Sequence, residues 1–495
     1  LLQKALSEPG ERFLLRAEHR RHKQRTVEKF PKKGGPMLEI LDTTLREGEQ
    51  TPYVSFTIEE KIEIARLLDE VGVEMIEAGD PSVSPGVARA VEQIAALGLR
   101  AEIVAHSLAC RTGIPRARDC GADRVAIFYP TSQIHLEAKL HKTPEEVLDI
   151  IREHVAYARS LGLKVRYTAE DATRTDFEFL VQACNAAIEA GADRICFADT
   201  LGIMQPHRVA EKVTALRSRL LPCKIDLHCH NDHGLALANA MAGICAGADC
   251  VHVTVNGLGE RCGIPDLAET IVAFHNLEGV QKYNLRALME LSAYVERASG
   301  ILTAPNKPIT GQNAFTHKSG VHANGVLKDP RTYEPFDPAL LGRERKIVID
   351  KYTGRSAVAA LLAKYGVQVS PAELEVIVSR IKVLGDTRKR LFEADVIEIA
   401  EQVTGRELDV IPHDISALIM IELEAHVYTS AVVRQLRAFK GVQNIYEVTG
   451  DYDISAFAGV EDVAALNNLI EEIRTVPGVK RTETRLILKK YNCSS

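Results

Sequence analysis

Residues 42–50 read Asp42-Thr-Thr-Leu-Arg-Glu-Gly-Glu-Gln50. The apolar run Leu38-Glu-Ile-Leu41 leads straight into them, so a short strand delivers a dense polar cluster: Asp42, Arg46, Glu47, Glu49 and Gln50. Apolar strand followed by polar tip is the sequence form of the mouth of a parallel β-barrel, where strand ends and the loops after them carry the chemistry.

The same unit recurs as far as about residue 275. Short β-rich runs fall at Leu38–Leu41, Met75–Ala78, Glu102–Ala105, Arg124–Phe128, Lys164–Thr168, Arg194–Ala198, Lys224–His228 and Cys250–Val255. Amphipathic segments of helical length separate them, among them Ile58–Val71, Pro144–Leu161, Phe177–Ala190 and Ala236–Ala246. Gly72, Gly98, Gly121, Gly162, Gly191 and Gly247 end helices, as glycine does just past a helix C-terminus. Eight β-α units favour a (β/α)8 TIM barrel over a doubly wound sheet, and no GxGxxG turn follows the first strand.

Polar residues collect at the strand ends: Arg46-Glu47, Glu77, His106, Arg166–Glu170, Asp199-Thr200, His228-Cys-His230 and Asn256. Seven of the eight strands end this way, which points to an enzyme. His228 and His230 are two apart, so a strand presents both on one face. Two imidazoles at a barrel mouth are half of a metal site, and a lone structural histidine is the bland alternative. Glu47 is the best carboxylate to complete the set, with Asp42, deeper in its strand, as the alternative. Asn256 is a further candidate, as a fourth ligand or an outer support. Two histidines and one carboxylate leave open positions for an oxo substrate on a divalent Lewis acid. Magnesium, manganese and zinc all tolerate the set. Arg46, beside Glu47, suits a developing oxyanion, and a salt bridge to Glu77 is compatible with that role. Arg166, near the mouth on the fifth strand, suits a substrate carboxylate. Gln50, His106, Thr168 and Thr200 can supply further hydrogen bonds, and Glu170 and His322 are acid/base candidates.

The totals set bounds. The 495 residues call for more than one domain, and the net charge of −6 argues against nucleic acid as the main partner. Ten cysteines are scattered with no CxxC pair and lie mostly within apolar runs, which reads as buried reduced thiols in a cytoplasmic protein. No apolar run is long enough to span a membrane. Residues 1–36 carry ten Lys/Arg against four Asp/Glu, and the first methionine is Met37. This stretch is expected to be a disordered basic extension or to lie upstream of the true start.

The barrel is expected over 37–280. Residues 281–412 break the rhythm, with helical stretches at Leu285–Ala298, Pro371–Leu384 and Arg388–Thr404 and a polar loop from Asn306 to Tyr333. That loop, with His317-Lys-Ser-Gly-Val-His322, is expected to be a lid or an arm between subunits. Residues 413–495 form a βαββαβ ferredoxin-like unit: strands Ala417–Leu423, Val442–Val448, Ile454–Ala458 and Arg481–Leu488, helices Ala431–Phe439 and Val463–Ile473, and a turn at Gly450–Asp453.

The runs DTTLREGEQTP, TAEDATRTD, FADTLG, LHCHNDHGLALANA, NGLGER, THKSGVH and DPRTYEPFDP, in that order, resemble the metal-dependent Claisen-condensing synthases built on a TIM barrel: isopropylmalate, citramalate and homocitrate synthases. LREGEQ, Arg166 ahead of Glu170-Asp171, and THKSGVH are most similar to the homocitrate synthase branch. The resemblance covers about residues 37–360. It implies condensation of acetyl-CoA with 2-oxoglutarate and water to (R)-homocitrate and CoA. It implies Glu47, His228 and His230 as metal ligands with Asn256 adjacent. It implies Arg46, Gln50, His106, Arg166, Thr168 and Thr200 as 2-oxo acid contacts, and Glu170, His322 and Tyr333 as the groups that enolise acetyl-CoA and handle the oxyanion. It also implies a homodimer, because the segment with His322 tends to come from the other subunit. A sister synthase using pyruvate or 2-oxoisovalerate, and an acyl-CoA lyase, are the neighbouring alternatives. A regulator with an inactive barrel is the alternative of another class. Residues 414–491, with VTGDYD and TVPGVKRTETRLIL, resemble the amino-acid-sensing (RAM) domain of Lrp/AsnC regulators. That implies feedback by lysine near Gly450–Asp453, or a dimerisation module. No helix-turn-helix precedes it, so DNA reading is not supported.

Overall fold

Eight parallel strands close on themselves in sequence order: β1 (Glu39–Asp42), β2 (Met75–Gly79), β3 (Glu102–Leu108), β4 (Arg124–Pro130), β5 (Lys164–Glu170), β6 (Arg194–Asp199), β7 (Lys224–Cys229) and β8 (Cys250–Val253). In this computed structural model the described residues are 38–387, 391–406, 408, 415–424, 426–460 and 463–487. The expectation for residues 1–36 lies outside them. The barrel is sealed where Glu39, Leu41 and Asp42 pair with Cys250, His252 and Val253.

The helices between strands form for local reasons. Ile58–Val71 begins at Thr57, whose hydroxyl accepts from Glu60 N at 3.2 Å while the Glu60 carboxylate accepts from Thr57 N at 2.7 Å. It ends at Gly72, in the left-handed region at φ 92°. Thr143 and Glu146 repeat the device for Pro144–Ser160.

Ladder register decides which side chains fill the barrel. Ala126 is level with Arg166, Arg166 with Arg194, Cys196 with Asp226, and Leu41 with His252. Alternate residues therefore share the interior face. One apolar group in it is Leu41, Met75, Val104, Ala126 and Cys250. At the N-terminal end of the strands the filling is ionic. Arg194 reaches Glu39 at 2.7 Å and Asp226 at 2.8 Å, Lys224 also meets Glu39, and Arg124 and Lys164 share Glu102. Arg194, Arg124 and Asp226 have little exposure, so each needs its partner, whereas Lys164 and Lys224 keep their ammonium groups near solvent.

The barrel unit takes in residues up to Ala314, with Ala339–Gly342. The helix Ala287–Ser299, placed by sequence in the next region, belongs to it. Its approach is tied down by Asn284 N to Val71 O at 2.9 Å and by the Tyr283 hydroxyl to Glu74 at 3.1 Å.

The second unit comprises Phe315–Pro338 and the residues from Arg343 onward. Its first part has a two-stranded parallel pair, β9 (Thr316–His317) and β10 (Lys346–Ile347), and the helix Gly320–Lys328. The helices Arg355–Lys364, Pro371–Thr387 and Glu393–Thr404 share a core of Val358, Leu362, Ile377, Ile381, Val396 and Ala400. The last part is an antiparallel sheet of β11 (Ile415–Leu423), β12 (Val442–Glu447), β13 (Ile454–Val460) and β14 (Val479–Ile487), ordered β12-β13-β11-β14. With helices Thr429–Leu436 and Val463–Arg474, this is the βαββαβ arrangement. Alternation along β11 buries Ala417, Ile419 and Ile421 against Val432, Leu436, Leu466 and Ile473.

Candidate active site

The turn after β1 is wound by Arg46, Glu47 and Gly48 each donating a backbone N–H to Thr43 O, which aims the Arg46 and Glu47 side chains. Glu47 is 2% exposed. Its Oε1 accepts from Glu260 N at 2.9 Å and its Oε2 pairs with Arg46. Ligand atoms of Glu47, His228 and His230 all lie within 4.8 Å of one another. His228 Nε2 is 3.9 Å from Glu47 Oε2, and the two imidazole rings meet edge-on at 5.1 Å. His230 Nδ1 is buried with no hydrogen-bond partner among the described residues. Burial and neighbouring positive groups push His228 well below its usual pKa and lower His230, so both rings are neutral with lone pairs to offer. Burial alone would raise Glu47, but Arg46 and His230 outweigh it and hold the carboxyl below its ordinary range. A carboxylate, two neutral imidazoles and an orphaned buried nitrogen fit a divalent cation. His230 lies one residue past the end of β7, so the pair spans the strand end.

Glu77 organises the cations beside this cluster. Its Oε2 accepts from Arg46 Nε at 2.7 Å and the Thr43 hydroxyl at 2.6 Å, and its Oε1 from Arg166 Nη2 at 2.7 Å. Burial would raise this carboxyl, yet Arg46 and Arg166 hold it well below the usual range. Arg46 Nη1 also reaches Gln50 Oε1 at 3.4 Å. Arg166 is not at the mouth. It is the third residue of β5, level with Ala126 and Arg194, and 1% exposed. Its Nη1 lies 3.3 Å from His252 Nε2, and its Nε is buried without a partner among the described residues. Glu49 serves the scaffold instead, accepting from Phe56 N and pairing with buried Lys61.

The remaining expected residues are spread around the barrel. His106 stacks on Phe128 at 4.6 Å and faces Asp80 at 3.9 Å. Thr168 is half-buried and level with Cys196. The Thr200 hydroxyl accepts from Asp171 N at 2.9 Å. Glu170 Oε1 accepts from Lys139 at 2.8 Å, while Oε2 has no partner among the described residues. Asn256 sits at φ 60°, and its amide is engaged at both ends by Ser292: Nδ2 donates to Ser292 O at 2.9 Å and Oδ1 accepts from the hydroxyl at 2.5 Å. In the second unit, His322 stacks on Tyr333 at 4.1 Å. A Cβ on Gly325 would lie 2.7 Å from the Tyr333 ring, so the glycine permits that stack.

Three residues of the site escaped sequence reasoning. Asp226 and His252 lie beneath His228, and Arg261 grips Asp232 at 2.7 and 2.9 Å and Thr200 O at 2.7 Å. Period-two alternation along β7 and β8 could have found the first pair, since Asp226 shares a face with His228 and His252 with Cys250.

The family profile described as HMGL-like matches residues 37–295. One described as homocitrate synthase post-HMGL domain-like matches 309–389, and the Lrp/AsnC ligand binding domain matches 416–495. Homocitrate synthase of Sulfurisphaera tokodaii is 47% identical over 457 residues, 91% of this chain and 99% of its own length. That of Saccharolobus solfataricus matches with the same identity and coverage. The chain belongs to the homocitrate synthase family. A solved HMG-CoA lyase of Bacillus subtilis aligns at TM-score 0.49 and 22% identity, over 57% of this chain and 98% of that one.

Membership in the homocitrate synthase family agrees with the resemblance drawn from the seven motifs. Among the described residues, no helix is long and apolar enough to cross a membrane. Of the nine described cysteines, all free, Cys184, Cys196, Cys229 and Cys250 are buried while Cys245 and Cys262 are exposed. The expectation that most are buried holds only for the barrel strands and one helix.

Proposed function

We propose that the chain condenses acetyl-CoA with 2-oxoglutarate and water to give (R)-homocitrate and CoA, in the cytoplasm. The observation that carries this is the Glu47, His228 and His230 donor set beside Arg46, in a chain of this family. A magnesium, manganese or zinc ion held by these three residues would supply Lewis acidity at the 2-oxo oxygen. Arg46 is placed to neutralise the charge that grows on that oxygen as the new bond forms. Its own carboxylates, Glu47 and Glu77, are already in place, so little reorganisation is needed. Gln50, His106, Thr168 and Thr200 line the 2-oxo acid side. Arg166 would hold the far carboxylate, exchanging part of its hold on Glu77 for the substrate.

Glu170 is the proposed base for the acetyl methyl. Lys139 fixes Oε1, which leaves Oε2 to take the proton. His322 and Tyr333 handle the thioester oxyanion, and in a homodimer they come from the partner subunit. Removing any one acid/base group is expected to cost about 10²–10⁴ in rate.

The test is CoA release from acetyl-CoA with 2-oxoglutarate, pyruvate, 2-oxoisovalerate and oxaloacetate in turn. 2-Oxoglutarate should give the highest kcat/KM, and Arg166→Ala should depress its use far more than that of pyruvate. Preference for pyruvate or 2-oxoisovalerate in the unmodified enzyme would make it a sister synthase. Equal losses in the variant would remove the clamp role.

A further inference from the structure

His228 faces two different partners with its two ring nitrogens. Nε2 looks toward Glu47 Oε2 at 3.9 Å, and Nδ1 lies 3.1 Å from Nδ1 of His252. Two Nδ1 atoms at that separation need one proton between them, so one ring donates and the other accepts. His252 is 1% exposed, and its other nitrogen, Nε2, lies 3.4 Å from Asp226 Oδ2 and 3.3 Å from Arg166 Nη1. The two neighbours ask opposite things of Nε2. A guanidinium only donates, and a carboxylate paired with Arg194, as Asp226 is at 3.0 and 3.1 Å, only accepts.

Only two chains of donors are self-consistent. In the first, His252 Nε2–H donates to Asp226, its Nδ1 lone pair accepts from His228 Nδ1–H, and His228 Nε2 carries a free lone pair toward Glu47. In the second, Arg166 donates to His252 Nε2, His252 Nδ1–H donates to His228, and His228 is left with Nε2–H pointing at Glu47. The first makes His228 a ligand and the second makes it a donor. Arg166 already has Glu77 at 2.7 Å and does not depend on His252, whereas His252 Nε2–H has Asp226 as its acceptor. We propose that His252 is a positioning residue. Backed by Asp226, it holds His228 as the tautomer whose Nε2 accepts a divalent cation. The inference rests on His228 being a metal ligand.

The test is titration of the metal-free protein with Mn²⁺, reading free ion by electron paramagnetic resonance, with thermal melts to verify folding. His252→Phe keeps the ring volume and removes both hydrogen bonds. It should weaken Mn²⁺ binding about 10–100-fold, the usual effect of losing an outer partner of a metal-bound histidine. His252→Gln can accept from His228 and donate to Asp226, and should stay within about threefold of the unmodified protein on the same scale. Asp226→Asn, of the same shape, should weaken binding by less than His252→Phe, and it serves if the phenylalanine variant does not fold. Unchanged affinity in His252→Phe or in Asp226→Asn overturns the proposal, as does equal weakening by Phe and Gln. His228→Ala separates the two levels: Mn²⁺ binding as tight as in the unmodified protein would remove the metal reading itself, whatever the His252 variants do.

Discussion

Among the described residues, no cation stands beside the Asp42 carboxyl. It is fully buried, Oδ1 accepts from Thr44 N at 2.8 Å, and Oδ2 has no partner among the described residues. Burial, with Asp266 and Glu77 nearby, raises its pKa to about 7. The sequence made Asp42 the alternative metal ligand, but the ligand cluster forms around Glu47, five residues past the end of the strand. The consequence is a dependence on pH. A carboxyl that binds its proton more tightly folded than unfolded adds stability that is complete below about pH 4 and is lost as pH rises through 7. Three pKa units correspond to about 4 kcal/mol at most. Asp42→Asn keeps the bond to Thr44 and removes the charge. Its melting temperature should exceed that of the unmodified protein at pH 8.5, with the gap shrinking toward pH 5. A gap that does not change with pH would place the destabilisation in some other group. Arg166 carries the contrasting lesson. Its residue type was readable, but its depth depends on register around a closed ladder, which one strand's sequence does not contain.

At the scale of elements, the strands and helices were legible because their periodicities are local. Ile58–Val71 starts and stops at the residues expected, since Thr57, Glu60 and Gly72 are all in the sequence. The ionic packing at the base of the barrel was not legible. Arg194 meets Glu39 and Asp226 only because β1, β6 and β7 are brought round the same closed interior. The loop after β8 is a similar case. Gly259 N donates to the Thr51 hydroxyl at 2.7 Å, and the next N–H, from Glu260, holds Glu47. Gly259 is at φ 150°, and a Cβ there would meet Gly263 Cα at 3.0 Å and Glu47 Oε1 at 3.1 Å. Gly259→Ala should therefore displace Glu47, weakening Mn²⁺ binding while leaving the barrel folded. An unchanged circular dichroism spectrum, with a melting temperature lowered only by the strain of alanine at φ 150°, alongside reduced metal affinity, is the expected set of results. Unchanged affinity would mean that Glu47 is fixed by Arg46 alone.

At the scale of the molecule, the metal cluster and the matched ligand-binding domain are built from different parts of the chain. Glu47, His228 and His230 all belong to the first unit, and their supports Glu77, Glu260, Asp226 and His252 belong to it as well. The sheet β11–β14 belongs to the second, with apolar side chains of its own strands and helices filling its core. The turn proposed to meet an amino acid is braced within that sheet. Asp453 Oδ2 accepts from Leu423 N at 2.8 Å, Asp453 N donates to Ile421 O at 3.0 Å, and the Tyr452 hydroxyl meets Glu483. Gly450, at φ 118°, has open space where a Cβ would stand. If this domain senses lysine, catalysis and inhibition should separate. Removing residues 413–495 should leave CoA release with 2-oxoglutarate measurable and abolish its inhibition by lysine. Asp453→Ala, which strips the brace from β11 without removing the domain, should raise the lysine concentration needed for half-inhibition. Inhibition that survives the deletion at the same lysine concentration would sink the sensing role. It would place lysine at the barrel, in competition with the 2-oxo acid, and leave the sheet with subunit association as its task.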